Sequence, residues 1–237
     1  MKLFFENCCE KIDFELIYRT RKTVGIKICR ENGLIVHSPK GVKSEEIIKI
    51  LKTKSSWIVK KLEEVRNIEQ RIIPKKFVDG EKFLFLGEEH KLEILFNPKQ
   101  KKPKFEIDYG RILIETCTTE PDKIKAWFEA WYRTKALETI GERVLYYQPL
   151  LGIKPNLVKV KTQKSRWGTC NSKGNLYFNW KIIMAPIEIL DYLVVHEMAH
   201  LLHLNHSAKF WNCVGNILPD YKTRRQILKK FGSTYSF

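Results

Sequence analysis

No apolar run in this chain approaches the roughly 20 residues needed to cross a bilayer. The N-terminal patch Leu3, Phe4 and Phe5 is cut off at once by Glu6 and Asn7, which is too short for the core of a signal peptide. No C-x-x-C pair occurs, and the six cysteines (Cys8, Cys9, Cys29, Cys117, Cys170 and Cys213) follow no regular spacing. A chain of 237 residues can bury a core without disulfide staples, and scattered thiols suit a reducing compartment. A cytoplasmic protein is therefore expected, with no membrane association. Cys8-Cys9 could touch a metal, but the pair has no partner cysteines close by. Neither an internal repeat nor a low-complexity tract stands out. Acidic residues are in deficit, 27 Asp and Glu against 43 Lys and Arg, for a net charge of +16. Such an excess attracts polyanions and says nothing about fold, so nucleic acid is admitted as a partner on charge alone.

What is present is a folded globular composition, 43% hydrophobic and 12% aromatic. The first part reads as strands with one long helix. Phe14 to Arg19, Val24 to Arg30 and Leu34 to His37 carry strand patterning, with a turn at Glu31-Asn32-Gly33. Ser44 starts a helix whose apolar positions run to Val65. Strands return at Phe83 to Leu86 and His90 to Phe96, around a Gly87-centred turn, and again as a hairpin around Tyr109-Gly110. Asn97 to Lys104 reads as a solvated hairpin connection. A second part begins near Thr118. Pro121 opens a long helix to about Tyr147, and Leu157 to Thr162 and Leu176 to Trp180 are strands. Pro186 opens a further helix to about Leu204, and helical stretches follow from Ser207 and Pro219. The expected fold class is α+β: a strand-rich region over 1–117, then a metal-binding helix domain over 118–237.

Four of the six histidines lie between residues 196 and 206. His196 and His200 are four apart, so a helix projects both from one face, where two imidazoles can converge on one tetrahedral ion. Glu197 is offset by roughly 100° around the axis and can reach a water activated by that ion. The flanking Val194, Val195, Met198, Ala199, Leu201 and Leu202 are uncharged, so the helix is built for burial. Burying two imidazoles and a carboxyl without partners is expensive, and a metal resolves the cost. For the third ligand the candidates are His203, His206 and a downstream acid such as Asp220. On a continued helix, His203 would sit about 7 Å from an ion centred between the first pair, too far along the axis for a Zn–N bond. His206 is favoured, with Asn205 taking the left-handed conformation that ends a helix and turns the chain back.

Four segments carry a resemblance: FVDGEKFLFLG at Phe77 to Gly87, SRWGTC at Ser165 to Cys170, GNLYFNW at Gly174 to Trp180, and LDYLVVHEMAHLLHLNHSAKFW at Leu190 to Trp211. With them the chain resembles the YgjP-like group of metallopeptidases, relatives of the WLM and SprT-like zincins, over roughly Phe14 to Phe231. The resemblance implies a zincin-like fold, a Zn2+ cofactor, a peptide or protein substrate, and the histidine of the NHS triplet, His206, as third ligand.

A three-ligand zinc keeps one position open for water, and Glu197 is the expected general base. Arg166, Tyr177 and Asn179 are candidates for substrate or transition-state contacts, with Arg166 equally able to act as a structural tie. The strand Leu176 to Trp180 could be an edge that pairs with an extended substrate, or an interior strand feeding the core. Cys170 is not needed as a nucleophile, since the activated water supplies one. Trp167 and Trp211 are most simply core aromatics. The rival to a hydrolase is a nucleic-acid-associated module with a structural or weakly active zinc site. A zinc hydrolase acting on a non-peptide amide is a third option.

Overall fold

The computed structural model describes residues 1–6, 11–29, 33–71 and 74–237, with side chains for all but 29 and 67–71. The Cys8-Cys9 pair and the Glu31-Asn32 turn lie outside the described residues. The architecture is α+β, as expected. By contact the chain divides into two compact units, Met1–Ile73 and Pro74–Phe237.

In the first unit, β1 (Lys2–Glu6), β2 (Lys11–Arg19), β3 (Gly25–Cys29) and β4 (Gly33–Pro39) form one sheet in the order β1-β2-β4-β3. The two outer pairs are antiparallel and the central β2–β4 pair is parallel. Alternation along β2 buries Ile12, Phe14 and Leu16, which pack with Leu34, Val36 and the helical Ile47, Leu51 and Ile58. The single long helix expected here is two, α1 (Ser44–Thr53) and α2 (Ser55–Arg71). The break falls at Lys54, whose φ of -109° and ψ of 10° leave the helical region.

In the second unit, β5 (Lys82–Phe85), β6 (Glu88–Phe96), β7 (Lys104–Asp108) and β8 (Arg111–Thr116) take the order β5-β6-β8-β7. Again the outer pairs are antiparallel and the central β6–β8 pair is parallel. The sheet is followed by a long helix, α3 (Pro121–Leu151). Strand order, strand directions and the following helix thus match the first unit, and the chain does contain a structural repeat. It escaped the sequence because the two copies share alternation rather than residue identity, and alternation is common to all half-buried sheets. The parallel central pair also corrects the connection at 97–103. It is a crossover, because β7 pairs with β8 and not with β6.

The division after Ile73 differs from the expected boundary at 117/118. Phe83, Leu92, Ile112 and Ile114 of the second sheet share one core with α3 and with everything that follows. The rest of this unit is β9 (Leu157–Lys161), β10 (Gly168–Cys170), β11 (Asn175–Asn179), α4 (Ile187–Ala199), α5 (Ala208–Ile217) and α6 (Tyr221–Phe231). The three strands form a sheet ordered β10-β11-β9, with β11 antiparallel to β10 and parallel to β9. The C-terminal Phe237 inserts among Phe77, Phe83, Phe128, Tyr132 and Trp180.

The tip of the β5–β6 hairpin aims the metal helix. Leu86 and Gly87 both have positive φ, 48° and 87°, the signature of a tight two-residue hairpin turn. The amides of Leu86 and Gly87 donate to the carbonyls of Ile183 and Met184 at 2.7 and 3.2 Å, just ahead of α4. A Cβ at Gly87 would stand 2.8 Å from the Cα of Pro186, so only glycine permits this approach. Glu81 and Asp79 fix the base of the same segment by accepting from the amides of Phe77 and Ile94. The FVDGEKFLFLG segment is therefore a brace on the helix start.

Candidate metal centre

Helix α4 packs against α3, α5, α6 and β10. From Ile189 to Ala199 every residue but His196 is buried. The helix is tied laterally by a forked ion pair, with Arg143 of α3 donating to Asp191 through Nε at 2.5 Å and Nη2 at 2.9 Å. His196 and Glu197 lie in its last turn and His200 at its C-cap.

The helix ends at Ala199, five residues before the expected end near Leu204. Its closing turn is made by Leu201 donating to the Met198 carbonyl and by Leu202 and His203 donating to the Ala199 carbonyl. Asn205 does not take the left-handed conformation expected of it. With the helix already finished by the tighter last turn, no left-handed residue is needed to bring the chain back.

The chain nevertheless returns His206 to the first pair. One ligand nitrogen from each of His196, His200 and His206 lies within 4.8 Å of the others. The Nε2 atoms of His196 and His206 are 3.1 Å apart. Two nitrogens bound at about 2.05 Å to a tetrahedral ion lie about 3.3 Å apart, so the residues fit a zinc-sized cation. His200 Nδ1 stands 3.1 Å from the carbonyl oxygen of His203. A carbonyl only accepts, so Nδ1 carries the proton and Nε2 offers its lone pair. That bond is the part His203 plays here, through its backbone. Its side chain lines a different cavity with Leu151 and Cys213. Asp220 is paired with Arg224 at 2.9 Å. Among the described residues no fourth side chain joins the three histidines.

The three histidines and Glu197 share a cleft of about 340 Å3 with Arg166, Gly168, Thr169, Cys170 and Leu204. Glu197 is 5% exposed. Burial pushes its carboxyl up to about 8, with the nearby Arg166 guanidinium pulling the other way. Burial also pushes His196 down to about 3, helped by His200, His206 and Arg225, and it lowers His206 as well. Neutral imidazole is the form that ligates a metal, so the site is held ready to bind one.

Gly168 explains the SRWGTC segment. A Cβ there would overlap the Glu197 carboxyl group, so the backbone of β10 can lie directly on the carboxyl only because this residue is glycine. Strand β10 is the edge of its sheet and β11 is the middle. Leu176 to Trp180 is therefore not an edge, and Leu176, Phe178 and Trp180 go to the core.

Tyr177 and Asn179 are not brought to the cleft. Tyr177 pairs in register with Thr169 and points to the sheet face opposite Gly168, under the Lys161 ammonium at 4.0 Å. Asn179 is buried, donating to the Gln163 carbonyl at 3.0 Å and accepting from the Lys181 amide at 3.2 Å. It fixes the turn after β11. Two aromatic neighbours complete the site: Phe210, which the sequence pattern did not single out, and Trp211, expected as a core aromatic and found half-buried beside His206. Phe210 is fully buried and touches all three imidazoles, with centroids 4.6 to 5.0 Å away. Trp211 stacks on His206 at 5.4 Å and 21°. The only sequence signal was an aromatic pair one turn after the third histidine.

Three histidines and a buried glutamate thus meet in one cleft, at the end of a buried helix and on the loop that follows it. The chain belongs to the YgjP-like family, whose metallopeptidase domain model matches residues 22–231. It is thereby a metal-dependent peptidase whose family acts on proteins or peptides and requires a divalent metal. Two metallopeptidase zymogens are similar solved structures. Abylysin of Pyrococcus abyssi shares 21% identity over 39% of this chain and 95% of that one, with a TM-score of 0.36. Jannalysin of Methanocaldococcus jannaschii shares 23% identity over 38% and 95%, with a TM-score of 0.35. A comparison with curated proteins finds no match. Among the described residues no helix is long and apolar enough to cross a membrane.

The His206→Ala variant should lose zinc affinity by more than about 100-fold, beyond the ~10–100-fold typical of an outer-sphere partner, while His203→Ala stays near the parent. Metal analysis of the purified variants checks this, and equal losses would reject the assignment of His206.

Proposed function

We propose that the metal is zinc, held by His196, His200 and His206, and that Glu197 is the general base for peptide-bond hydrolysis. The observation that carries this reading is the burial of the Glu197 carboxyl in the same cleft as three converging imidazoles. Three nitrogen donors suit zinc and leave a position free, which favours a catalytic site over a structural one. Zinc in such a site supplies a Lewis acid and brings the pKa of a water to about 7. Glu197 takes a proton from the attacking water and hands it to the departing amine. Arg166 opens onto the same cleft and is a candidate to stabilise the oxyanion.

The substrate strand is assigned to β10. Its outer side is unpaired within the sheet and its backbone lies against Glu197. An extended peptide added there would carry its scissile carbonyl past the histidines.

The Glu197→Gln variant should keep its zinc and lose activity by about 10²–10⁴-fold, the usual worth of a general base. Parent turnover in the metal-loaded variant would remove Glu197 from the reaction. A substrate-analogue complex should show backbone pairing to Gly168–Cys170, and pairing to another segment would cancel the β10 assignment.

A second reading, nucleic-acid association, is favoured by one feature of the first unit. Arg19 at the end of β2, and Arg21, Lys22, Lys40 and Lys43 on the loops that follow the parallel strands β2 and β4, are all exposed. The Tyr18 hydroxyl donates to the Val42 carbonyl and joins these loops at one end of the sheet. Binding to DNA through them should weaken steeply as salt rises, because phosphate contacts release counterions. A flat salt response in a binding titration would dismiss a phosphate-contacting surface.

A further inference from the structure

Two of the three histidines are set by a buried helix, but His206 is exposed on the loop between α4 and α5. An exposed loop imidazole must surrender its side-chain freedom to reach a fixed point, and nothing in its own element enforces that. Phe210 meets the ring edge-to-face at 4.8 Å and 78°, and the restraint on its plane comes from a stacked ring. The Trp211 indole lies nearly parallel to the imidazole, with centroids 5.4 Å apart and planes at 21°. Trp211 is itself stacked on Tyr221 at 5.3 Å and 14°. The Arg225 guanidinium stands 4.7 Å from the Trp211 ring centroid. Tyr221 and Arg225 are four apart on α6, so one helix face presents both to the indole. The Trp211 amide donates to the Ser207 carbonyl, which fixes the indole one turn into the helix that starts beside His206.

We infer that Trp211 is a positioning residue for the third metal ligand. Its indole, backed by Tyr221 and Arg225, sets the plane of the His206 imidazole before metal arrives. The inference rests on His206 being a ligand. Offset aromatic stacking has a defined geometry, so this contact restrains ring orientation as well as filling space. It acts at the coordination sphere, as a hydrogen bond to a ligating histidine commonly does, through stacking instead.

The test uses the full chain and reads zinc affinity by competition with a chromophoric chelator, together with the visible spectrum of the cobalt-substituted protein. Trp211→Leu should lower zinc affinity by about 10–100-fold and change the cobalt spectrum, whereas Trp211→Phe, which keeps a ring to stack, should recover most of the affinity. In a double-mutant cycle, Trp211→Leu added to His206→Ala should cost only a small part of its single-variant loss, because the indole acts chiefly through the stacked His206 and touches His196 only in a tilted contact at 5.8 Å. A further loss of the same size in the double variant would mean a general structural role and overturn the inference. So would parent affinity and spectrum in Trp211→Leu. If Trp211→Leu does not fold, Tyr221→Leu takes its place, with a smaller loss expected that likewise largely vanishes on the His206→Ala background; persistence of that loss rejects the inference. An unchanged affinity in His206→Ala alone would instead remove the ligand assignment, so the two failures are distinguishable.

Discussion

The structure depends on the cost of burying the Glu197 carboxyl and half-burying two imidazoles at the end of a largely apolar helix. Each would lose several kcal/mol of hydration without a partner. The Glu197 carboxyl, held near 8 by burial, and the His196 imidazole, held near 3, show how strongly the surroundings disfavour charge. A divalent cation reverses that balance, because it rewards a neutral imidazole and an ionised carboxylate together. Everything around α4 keeps these groups from escaping to water. The Gly87 hairpin presses on its start, the Arg143–Asp191 fork holds its flank, and Phe210 closes against all three imidazoles.

The convergence of the histidines was legible in the sequence, while much of its scaffolding was not. A spacing of four residues on a helix is a local fact, so the convergence of His196 and His200 could be read directly. His206 was reachable too, by excluding His203 on axial distance, although the supposed helix end was wrong. Helix ends depend on which carbonyls find partners, and the closing bonds at Met198 and Ala199 leave no mark in the residue pattern. Edge and centre positions in a sheet are non-local. Nothing in NLYFN announces that both of its sides are paired, or in GTC that it is a strand with one side free. Tyr177 and Asn179 looked as available as Arg166 for the same reason. Which face of the sheet meets α4 is decided by strands distant in sequence.

The boundary between regions shows a further limit. Composition changes near Thr118, where strands give way to a long helix, and that change was taken for a domain edge. The core instead joins the second sheet to α3 and to the metal helix. The repeat explains why. A four-stranded sheet with an apolar face needs a helix to cover it, so the natural unit is sheet plus following helix. Each copy obeys this rule, with α1 and α2 serving the first and α3 serving the second.

The second copy also has a task that the same topology does not require. Its first hairpin ends in Leu86-Gly87, and the bare Cα of Gly87 lets the turn meet Pro186 and donate to two carbonyls there. Position along α4 is thus set at one end by a sheet and at the other by the ligands. The contrast among those ligands follows from this. His196 and His200 inherit rigidity from a braced, buried helix, so their geometry exists before any metal binds. His206 is on the surface, where a metal must enter, and a ligand at the mouth of a site cannot be fixed by burial without sealing that mouth. Its order has to come from the protein side, where Phe210 meets it edge-to-face and the Trp211 ring stacks on it. The division into two half-buried histidines on a buried helix and one exposed, aromatic-backed histidine is how a site can be both preformed and open.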